Sequence, residues 1–384
     1  MKFFKLLICL ILSANLLENK SFASAQTTSP PELPRGTVVC APGIYEITPD
    51  DCLPVGPSAE IARLLRQGIP YPILPLPAYA PDPALNQIPY RYFKVTEEGT
   101  PLFLSLEDGI NNRPSNYIEP GFIYVSYEAV ANTEQGGFYQ LRDGSWIRAE
   151  GARAAIPTFQ GLLFSSTPRH AFGWVLGQTT SYRSPGYEEP ETGKMYYRYD
   201  IVQIYQAQEA EGNIWLLISP DEWLDYRQVA RVEPHTTLPG GMLIDRWIEV
   251  NLDEQTLAVY DHNQLVFATI VSSGVEPFWT RPGLFQIYEK KATETMSGAT
   301  AADRSDYYYL QDVPWTMYFD QKRALHGEYW HTSLGYPRSH GCVNLSIGDA
   351  HWLFDWAKVG DYVYVYDPSG RTPTDPALYG AGSP

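Results

Sequence analysis

Short runs of apolar residues, broken at regular intervals by glycine, asparagine, aspartate or proline, dominate most of this chain. The first such runs are Tyr92–Val95, Phe122–Tyr127, Gly137–Leu141 and Trp146–Arg148. Runs of this length, rich in aromatic and β-branched residues and bounded by turn residues, are typical of a small antiparallel barrel or sandwich. The sequence therefore predicts a mainly β protein, with a first β module at residues 91–155.

A second block of similar texture, Phe172–Val232, predicts a second β module at residues 170–235. Phe122–Val125 in the first block parallels Ile201–Ile204 in the second, which we interpret as an internal duplication. Both blocks resemble the bacterial SH3-like modules that accompany cell-wall enzymes, and this resemblance implies one or two small SH3-like β-barrels. Their tryptophans either fill small cores or line a groove for wall polymer, and both interpretations stay open.

A third β-rich block occupies residues 246–366. Its first apolar strands flank the turn Asp261–Gln264. The stretch Thr293–Asp306 lacks apolar periodicity and predicts a long loop of the kind that covers or lines a site. Near the end of the block, Ser346 predicts an N-capped helix. Residues 367–384 are rich in proline and glycine, which predicts a flexible tail.

The N-terminus has the features of an export signal. Two lysines precede the apolar run Leu6–Leu12, and Ala23-Ser24-Ala25 offers a small-residue cleavage site, so residues 1–25 are predicted to be a signal peptide. Because the apolar run is shorter than the ~20 residues of a membrane span, no stable membrane insertion is expected after cleavage. The predicted location is extracytoplasmic. Residues 26–90 follow as a Pro-rich linker, extended because proline fixes φ and removes N–H donors.

Composition narrows the classes of partner. The 384 residues carry a net charge of −16, which argues against nucleic acid and anionic membrane surfaces, since both attract basic patches. A hydrophobic content of 44 %, with 14 % aromatic residues, is sufficient for packed cores and excludes a disordered chain. The length predicts two or three domains.

The four cysteines separate by position. Cys9 leaves with the predicted signal peptide. Cys40 and Cys52 lie close together in an oxidising compartment, so we expect a disulfide that closes a short loop within the linker. Cys342 is left over, and an odd cysteine in a secreted protein is either an intermolecular link or a reactive thiol.

Cys342 lies among imidazoles and glycines in the stretch His326–Leu345. A nucleophilic cysteine needs a base to make its thiolate and backbone N–H groups to hold an oxyanion. Gly341 suits the second need, because a residue without Cβ turns sharply and lets a substrate approach the backbone. His326 and His340 are candidates for the base.

The same residues are open to other interpretations. A lone cysteine is often an inert buried hydrophobe, and a Cys/His cluster can bind zinc, although a structural zinc normally has four ligands. The surrounding residues favour the nucleophile, so no metal and no cofactor are expected. His331 lies in the polar stretch Glu328–Ser333, which is expected to be mobile and to hold a base poorly.

Several spaced motifs carry a family resemblance. Ser339-His340-Gly341-Cys342-Val343-Asn344, with His326-Gly327 upstream, resembles the signature of the L,D-transpeptidase (YkuD-like) catalytic domain. Thr280–Phe285 resembles the strand entry of that family, and Val313–Trp315 resembles its hydrophobic-Pro-aromatic segment. The resemblance covers roughly Arg246 to Tyr366, about a third of the chain.

The resemblance implies a role for each motif residue. Cys342 is expected to be the nucleophile and His326 the base, with backbone N–H groups near Gly341 holding the oxyanion. His340 and Ser339 are expected to shape the loop and hydrogen-bond to the pair. The residues expected to contact substrate are Asn344, Tyr318 and Gly327.

The resemblance also implies a reaction and its partners. Peptidoglycan stem peptides would serve as donor and acceptor in an acyl transfer through a cysteine thioester, with release of D-Ala and formation of a 3→3 crosslink or a related amide.

Two alternative functions stay open. The same site could trim stems with water, as an L,D-carboxypeptidase, or the chain could be a non-catalytic wall-binding protein. The intact Cys-His motif argues against the latter.

Overall fold

The computed structural model describes residues 39–40, 52–53, 55–96, 99–299 and 303–379. The predicted signal peptide lies outside the described residues, as do residues 26–38 of the predicted linker and residues 380–384 of the predicted tail. In the described part of the chain, no helix is both long and apolar enough to cross a lipid bilayer.

The chain divides into two compact units, residues 1–63 and 64–384. In the first unit a disulfide bond joins Cys40 to Cys52, the pairing that the spacing of the cysteines predicts. Helix α1 (Pro57–Arg66) begins in this unit. The second unit is mainly β, which confirms the predicted fold class.

Besides a 3₁₀ helix at Pro83–Asn86, the first part of the second unit contains strands and one short α-helix. They are β1 (Ala78–Tyr79), β2 (Arg91–Lys94), β3 (Thr100–Leu102), helix α2 (Leu106–Ile110), β4 (Asn116–Ile118), β5 (Phe122–Thr133), β6 (Gly136–Leu141), β7 (Trp146–Arg148) and β8 (Ala152–Arg153). Strands β3 and β4 pair as a separate hairpin. In β5, residues 123–126 are buried, whereas residues 127–133 alternate between half-buried and exposed. This alternation is typical of a sheet with one solvated face.

The second block of strands makes two sheets of its own. Its strands, with β9 before them, are β9 (Leu162–Phe164), β10 (Ala171–Val175), β11 (Thr179–Tyr182), β12 (Glu191–Tyr196), β13 (Ile201–Ile204), β14 (Gln206–Ala210), β15 (Asn213–Ser219), β16 (Glu222–Asp225) and β17 (Val229–Val232). One sheet has the order β13-β10-β17 and the other β12-β11-β16-β15-β14. Val175, Leu216 and Leu224 are fully buried between them. The SH3-like character of both blocks stays a prediction.

The C-terminal block completes two large sheets. Its elements are β18 (Arg246–Asn251), β19 (Thr256–Asp261), β20 (Gln264–Ile270), β21 (Gly283–Gln286), β22 (Glu289–Gly298), β23 (Tyr308–Asp320), β24 (Arg323–Gly327), β25 (Val343–Leu345), helix α3 (Ile347–Trp356) and β26 (Tyr362–Tyr366). The seven-stranded sheet has the order β1-β9-β20-β19-β18-β26-β21. Ser346 caps α3 as predicted, because its Oγ accepts the N–H of Asp349 at 3.3 Å.

Side chains from both large sheets and from α3 meet in one core. Ile248 and Phe267 come from the seven-stranded sheet, and Met317 and Leu325 come from β23 and β24. Leu353 comes from α3, and all five are fully buried. Burying each side chain stabilises the fold by about 1.5–3 kcal/mol. This core holds the strand that carries His326 in a fixed place.

The loop predicted at Thr293–Asp306 is wrong in its first half. Strand β22 continues to Gly298 and pairs with β23, so that Thr293 faces Pro314. Among the described strands β22 pairs with β23 alone, so it is an edge strand, and only its Met296 is buried. An edge strand with polar side chains needs no apolar pattern of its own, so the sequence gives no local signal for it.

The first β module and the C-terminal strands share one nine-stranded sheet. Its main path is β25-β24-β23-β5-β2-β8, with β22 on β23 and the hairpin β6–β7 on β5. Strands β5 and β23 pair in parallel, with Phe122 opposite Tyr308 and Tyr124 opposite Leu310. Residues 91–153 therefore extend the sheet that carries His326.

Side-chain contacts strengthen this junction. The ring of Tyr92 stacks on that of Tyr329 with centroids 3.5 Å apart, and the Tyr92 hydroxyl donates to the carbonyl of Asp312 at 2.7 Å. The buried Asp312 carboxylate accepts hydrogen bonds from Ser126 and, at 2.5 Å, from Arg142. The first module is thus packed against the segment that leads into the Cys-His stretch.

Candidate active site

A cavity of about 370 Å³ lies at the β24–β25 end of the nine-stranded sheet. Five of the residues that the sequence singles out line it, namely His326, Ser339, His340, Cys342 and Asn344. A larger cavity of about 510 Å³ is lined by neither cysteine nor histidine, so it lacks the Cys-His pair of the motif. The chemistry of the motif is therefore concentrated in the smaller cavity.

A tight turn presents Cys342 to this cavity. Gly341 has φ +116°, and a Cβ at this position would lie 3.2 Å from Nε of Arg323, so only glycine fits without strain. The Ser339 hydroxyl accepts the N–H of Gly341 at 3.1 Å and donates to the carbonyl of Cys342 at 2.5 Å. Thr280 donates its hydroxyl to the carbonyl of Gly341 at 2.9 Å. These bonds hold the turn from both sides.

The thiol of Cys342 is buried and protonated at neutral pH. Its S–H group donates to the carbonyl oxygen of Lys322, with Sγ 3.7 Å from that oxygen. Burial raises the thiol pKa to about 11, while the backbone N–H of Ala324 and the charge of Arg323 oppose that rise. Both opposing groups stabilise a thiolate once it forms.

His326 is held in one tautomer. Its Nδ1 lies 3.0 Å from the carbonyl oxygen of Gly327, which can only accept, so Nδ1 carries the proton. The lone pair of the neutral ring is then on Nε2. Burial lowers the pKa of His326 to about 4, so the ring is neutral at physiological pH. In the β24–β25 ladder His326 is opposite Asn344, two residues beyond Cys342.

His331 is half-buried and held on several sides, so the expectation that it is mobile is wrong. The N–H of Ser333 donates to its Nδ1 at 3.1 Å, and its Nε2 lies 3.2 Å from the side-chain amide of Asn344. Its backbone N–H donates to the carboxyl group of Glu328 at 3.0 Å. Burial lowers the pKa of His331 to about 4 and raises that of Glu328 well above its usual range. At neutral pH, therefore, the His331 ring is neutral.

The comparison with known families addresses the same segment. Residues 245–365 match the model of the YkuD family, which is the L,D-transpeptidase catalytic domain. The match covers the cysteine turn, both strands that border it and the histidine. Residues 245–365 belong to the YkuD family.

Individual relatives also match about a third of this chain. The putative L,D-transpeptidase YciB of Bacillus subtilis is 28 % identical, over 34 % of this chain and 74 % of its own length. L,D-transpeptidase 1 of Mycobacterium tuberculosis is 28 % identical, over 39 % of this chain and 64 % of its own length, so this chain spans less than two thirds of that relative. The catalytic domain of the E. faecium L,D-transpeptidase is 26 % identical with a TM-score of 0.29, over 33 % of this chain and 100 % of that domain.

The remaining predicted site residues of the YkuD domain lie near the cavity in different ways. His340 lines it, and its ring packs edge-on against Phe278 and alongside Tyr308. Tyr318 is buried beside Cys342 but is not among the residues that line the cavity. Gly327 faces the core, where an added Cβ would lie 3.1 Å from Pro314.

Further residues line the cavity of the YkuD domain without a signal in the sequence, and three of them concern the site directly. Trp330 and Arg338 lie on the segment between His326 and Cys342, and Phe122 comes from β5, outside the matched segment. Phe122 reaches the cavity because β5 pairs with β23. A pairing between strands so far apart in sequence leaves no local pattern, so only the fold reveals this residue.

The pKa of His326 predicts the acid limb of the pH profile. Only the neutral imidazole can act as the base. Because the pKa of His326 is about 4, the ring stays neutral until the pH falls to about 4. We expect kcat/KM for acylation to change less than about twofold between pH 7 and pH 5, whereas an ordinary histidine of pKa ≈ 6.5 would lose about 25-fold. Circular dichroism at each pH separates loss of the base from unfolding. A 25-fold fall in a folded sample at pH 5 would contradict the predicted pKa.

Proposed function

We propose that this chain is a peptidoglycan L,D-transpeptidase that works outside the cytoplasm after its predicted signal peptide is cleaved. The thiolate of Cys342 attacks the carbonyl carbon of the third residue of a donor stem peptide, a diamino acid. The bond from that carbon to the nitrogen of the terminal D-Ala breaks, and D-Ala leaves after its nitrogen takes a proton. A side-chain amine of a second stem then attacks the thioester, which gives a 3→3 crosslink and restores the thiol.

The observation that carries this proposal is the tautomer of His326. Because Nδ1 is committed to the carbonyl of Gly327, the basic lone pair belongs to Nε2, in the cavity that also holds the thiol of Cys342. A nucleophile, and a base oriented by a third group, are the requirements for covalent acyl transfer. Here a backbone carbonyl is the orienting group.

The pair starts neutral in this account. With a thiol pKa of about 11 and an imidazole pKa of about 4, the proton rests on Cys342 until a substrate enters. It then moves from Sγ to Nε2 of His326 as the C–S bond forms, and the imidazolium returns it to the leaving nitrogen of D-Ala. Arg323 and the N–H of Ala324 favour the sulfur anion during this transfer.

The oxyanion requires a backbone donor that is not already used. The N–H of Gly341 donates to Ser339 Oγ, so it is not available in this conformation. We assign the oxyanion instead to the N–H of Cys342, the residue that follows the left-handed turn. Asn344, whose side-chain amide lies 3.2 Å from Nε2 of His331, presents that amide to the substrate, and His340 forms part of the wall beside it.

Product analysis tests the proposal. Incubation with a disaccharide-tetrapeptide is expected to release D-Ala and to yield a crosslinked dimer, which mass spectrometry identifies. A tripeptide product without dimer would assign the site to an L,D-carboxypeptidase, in which water takes the place of the amine. If a folded sample formed neither product, the proposal would be contradicted, and a non-catalytic wall-binding role would remain.

A further inference from the structure

The cavity at Cys342 is lined by few charged side chains. Of the described residues that line it, Asp306 is the one carboxylic acid and Arg338 the one arginine or lysine. The three histidines are neutral, because burial lowers the pKa of His326 and His331 to about 4 and also lowers that of His340. Arg338 is therefore the one cation among the described residues that line the cavity.

The backbone of Arg338 is fixed although its side chain is exposed. Its N–H donates to the carbonyl of Ser273 at 2.8 Å, and the next N–H, of Ser339, donates to the same carbonyl at 3.0 Å. The carbonyl of Ser339 accepts the N–H of Val275 at 2.9 Å. The segment that leads into the cysteine turn is thus pinned, which places the base of the Arg338 side chain reproducibly at the cavity.

The guanidinium of Arg338 has no carboxylate within ion-pair distance among the described residues. Most arginines of the C-terminal block do have one: Arg246 pairs with Asp261 and Asp361, and Arg281 and Arg323 both pair with Asp320. In a chain with a net charge of −16, an unpaired arginine beside a nucleophile is available for a ligand. Its charge acts on the site, since it contributes to the lowered pKa of His331.

We propose that Arg338 binds a carboxylate of the donor stem peptide next to the scissile bond, an inference that rests on the proposed function. A guanidinium presents a fork of N–H donors that matches a carboxylate in two parallel hydrogen bonds. The donor has a carboxylate on the terminal D-Ala, one residue beyond the scissile bond, and a second one on the third residue where that residue is diaminopimelate. Arg338 lies four positions before Cys342 on the same cavity wall, so the ion pair orients the carbonyl towards the thiol.

The experiment compares Arg338→Gln with a matched control on three donors. Arg113→Gln removes one exposed charge that, among the described residues, pairs with Glu107 and Asp108 and does not line the cavity, so it gives the effect of net charge alone. The donors are the tetrapeptide with free carboxylates, the same peptide with an amidated D-Ala, and the same peptide with an amidated third residue. Release of the terminal residue is followed as kcat/KM, and circular dichroism checks that each variant is folded.

We expect Arg338→Gln to lose about 10- to 100-fold in kcat/KM on the free donor, the usual effect of a charge-assisted hydrogen bond. In the wild type, amidation at the bound carboxylate should cost a similar factor, and in Arg338→Gln that amidation should cost almost nothing. The donor that loses this sensitivity identifies which carboxylate is bound. Arg338→Lys, which keeps the charge without the fork, should be intermediate.

Two results would count against the inference, and they are distinguishable. If the wild type is active but Arg338→Gln equals Arg113→Gln on every donor, Arg338 does not bind a carboxylate and the proposed function stands. If the wild type releases nothing from any donor, the proposed function fails, and the inference fails with it.

Discussion

Cys342→Ala is expected to abolish release of D-Ala from a disaccharide-tetrapeptide, with a fall of about 10⁴-fold or more in kcat. Without the sulfur no thioester forms, and water is a far weaker nucleophile than a thiolate, so His326 alone cannot sustain the reaction. The substitution removes one small buried atom, so the fold should persist. Initial rates of D-Ala release give the measurement, and the thermal unfolding midpoint gives the control.

A second substitution identifies whether the loss is chemical. Cys342→Ser keeps a hydroxyl at the same position, but a serine hydroxyl is far less acidic than a thiol, so a neutral imidazole activates it poorly. We expect this variant to be nearly as inactive as Cys342→Ala. Activity of either variant within tenfold of the wild type would exclude Cys342 as the nucleophile.

His326→Ala is expected to lower the acylation rate by about 10²–10⁴-fold, the usual contribution of a positioned base. The ring is buried, and the carbonyl of Gly327 orients it. Its removal leaves no base to take the proton of the Cys342 thiol, whose pKa is about 11. Added imidazole should restore part of the rate by entering the space that the side chain leaves. Stopped-flow acylation with a carbapenem provides the measurement.

Two other histidines serve as matched controls for this prediction. His262 is 84 % exposed at the β19–β20 turn, where it pairs with Asp245, so His262→Ala should leave acylation unchanged. His331→Ala should have an intermediate effect, since His331 holds Asn344 but is not the base. If His331→Ala lost more than His326→Ala, the assignment of the base would be wrong.

The sequence predicts the β architecture and the cysteine segment because both leave local patterns. The turn His262–Asn263, with φ of +51° and +58°, joins two apolar strands as a type I′ hairpin, which a short run of polar residues signals well. The Ser-His-Gly-Cys run likewise predicts a tight turn, since the positive φ of residue 341 favours glycine.

What the sequence does not predict depends on contacts between distant segments. The parallel pairing of β5 with β23, which brings Phe122 to the cavity, joins strands far apart in the chain. The polar stretch that contains Glu328 and His331 has the composition of a mobile loop, yet Glu328 is buried and His331 is half-buried. Glu328 accepts the backbone N–H of His331, and the His331 ring contacts Ser333 and Asn344. Burial of polar residues follows from hydrogen-bond partners that no local pattern reveals.

The location of the covalent bond tests the central claim most directly. The mature protein is incubated with a carbapenem, whose lactam carbonyl stands in for the acyl donor, then digested and sequenced by tandem mass spectrometry. We predict one adduct per molecule, on the peptide that contains Cys342, and none in Cys342→Ala. An adduct of unchanged yield in Cys342→Ala, or one located on another side chain, would contradict the account.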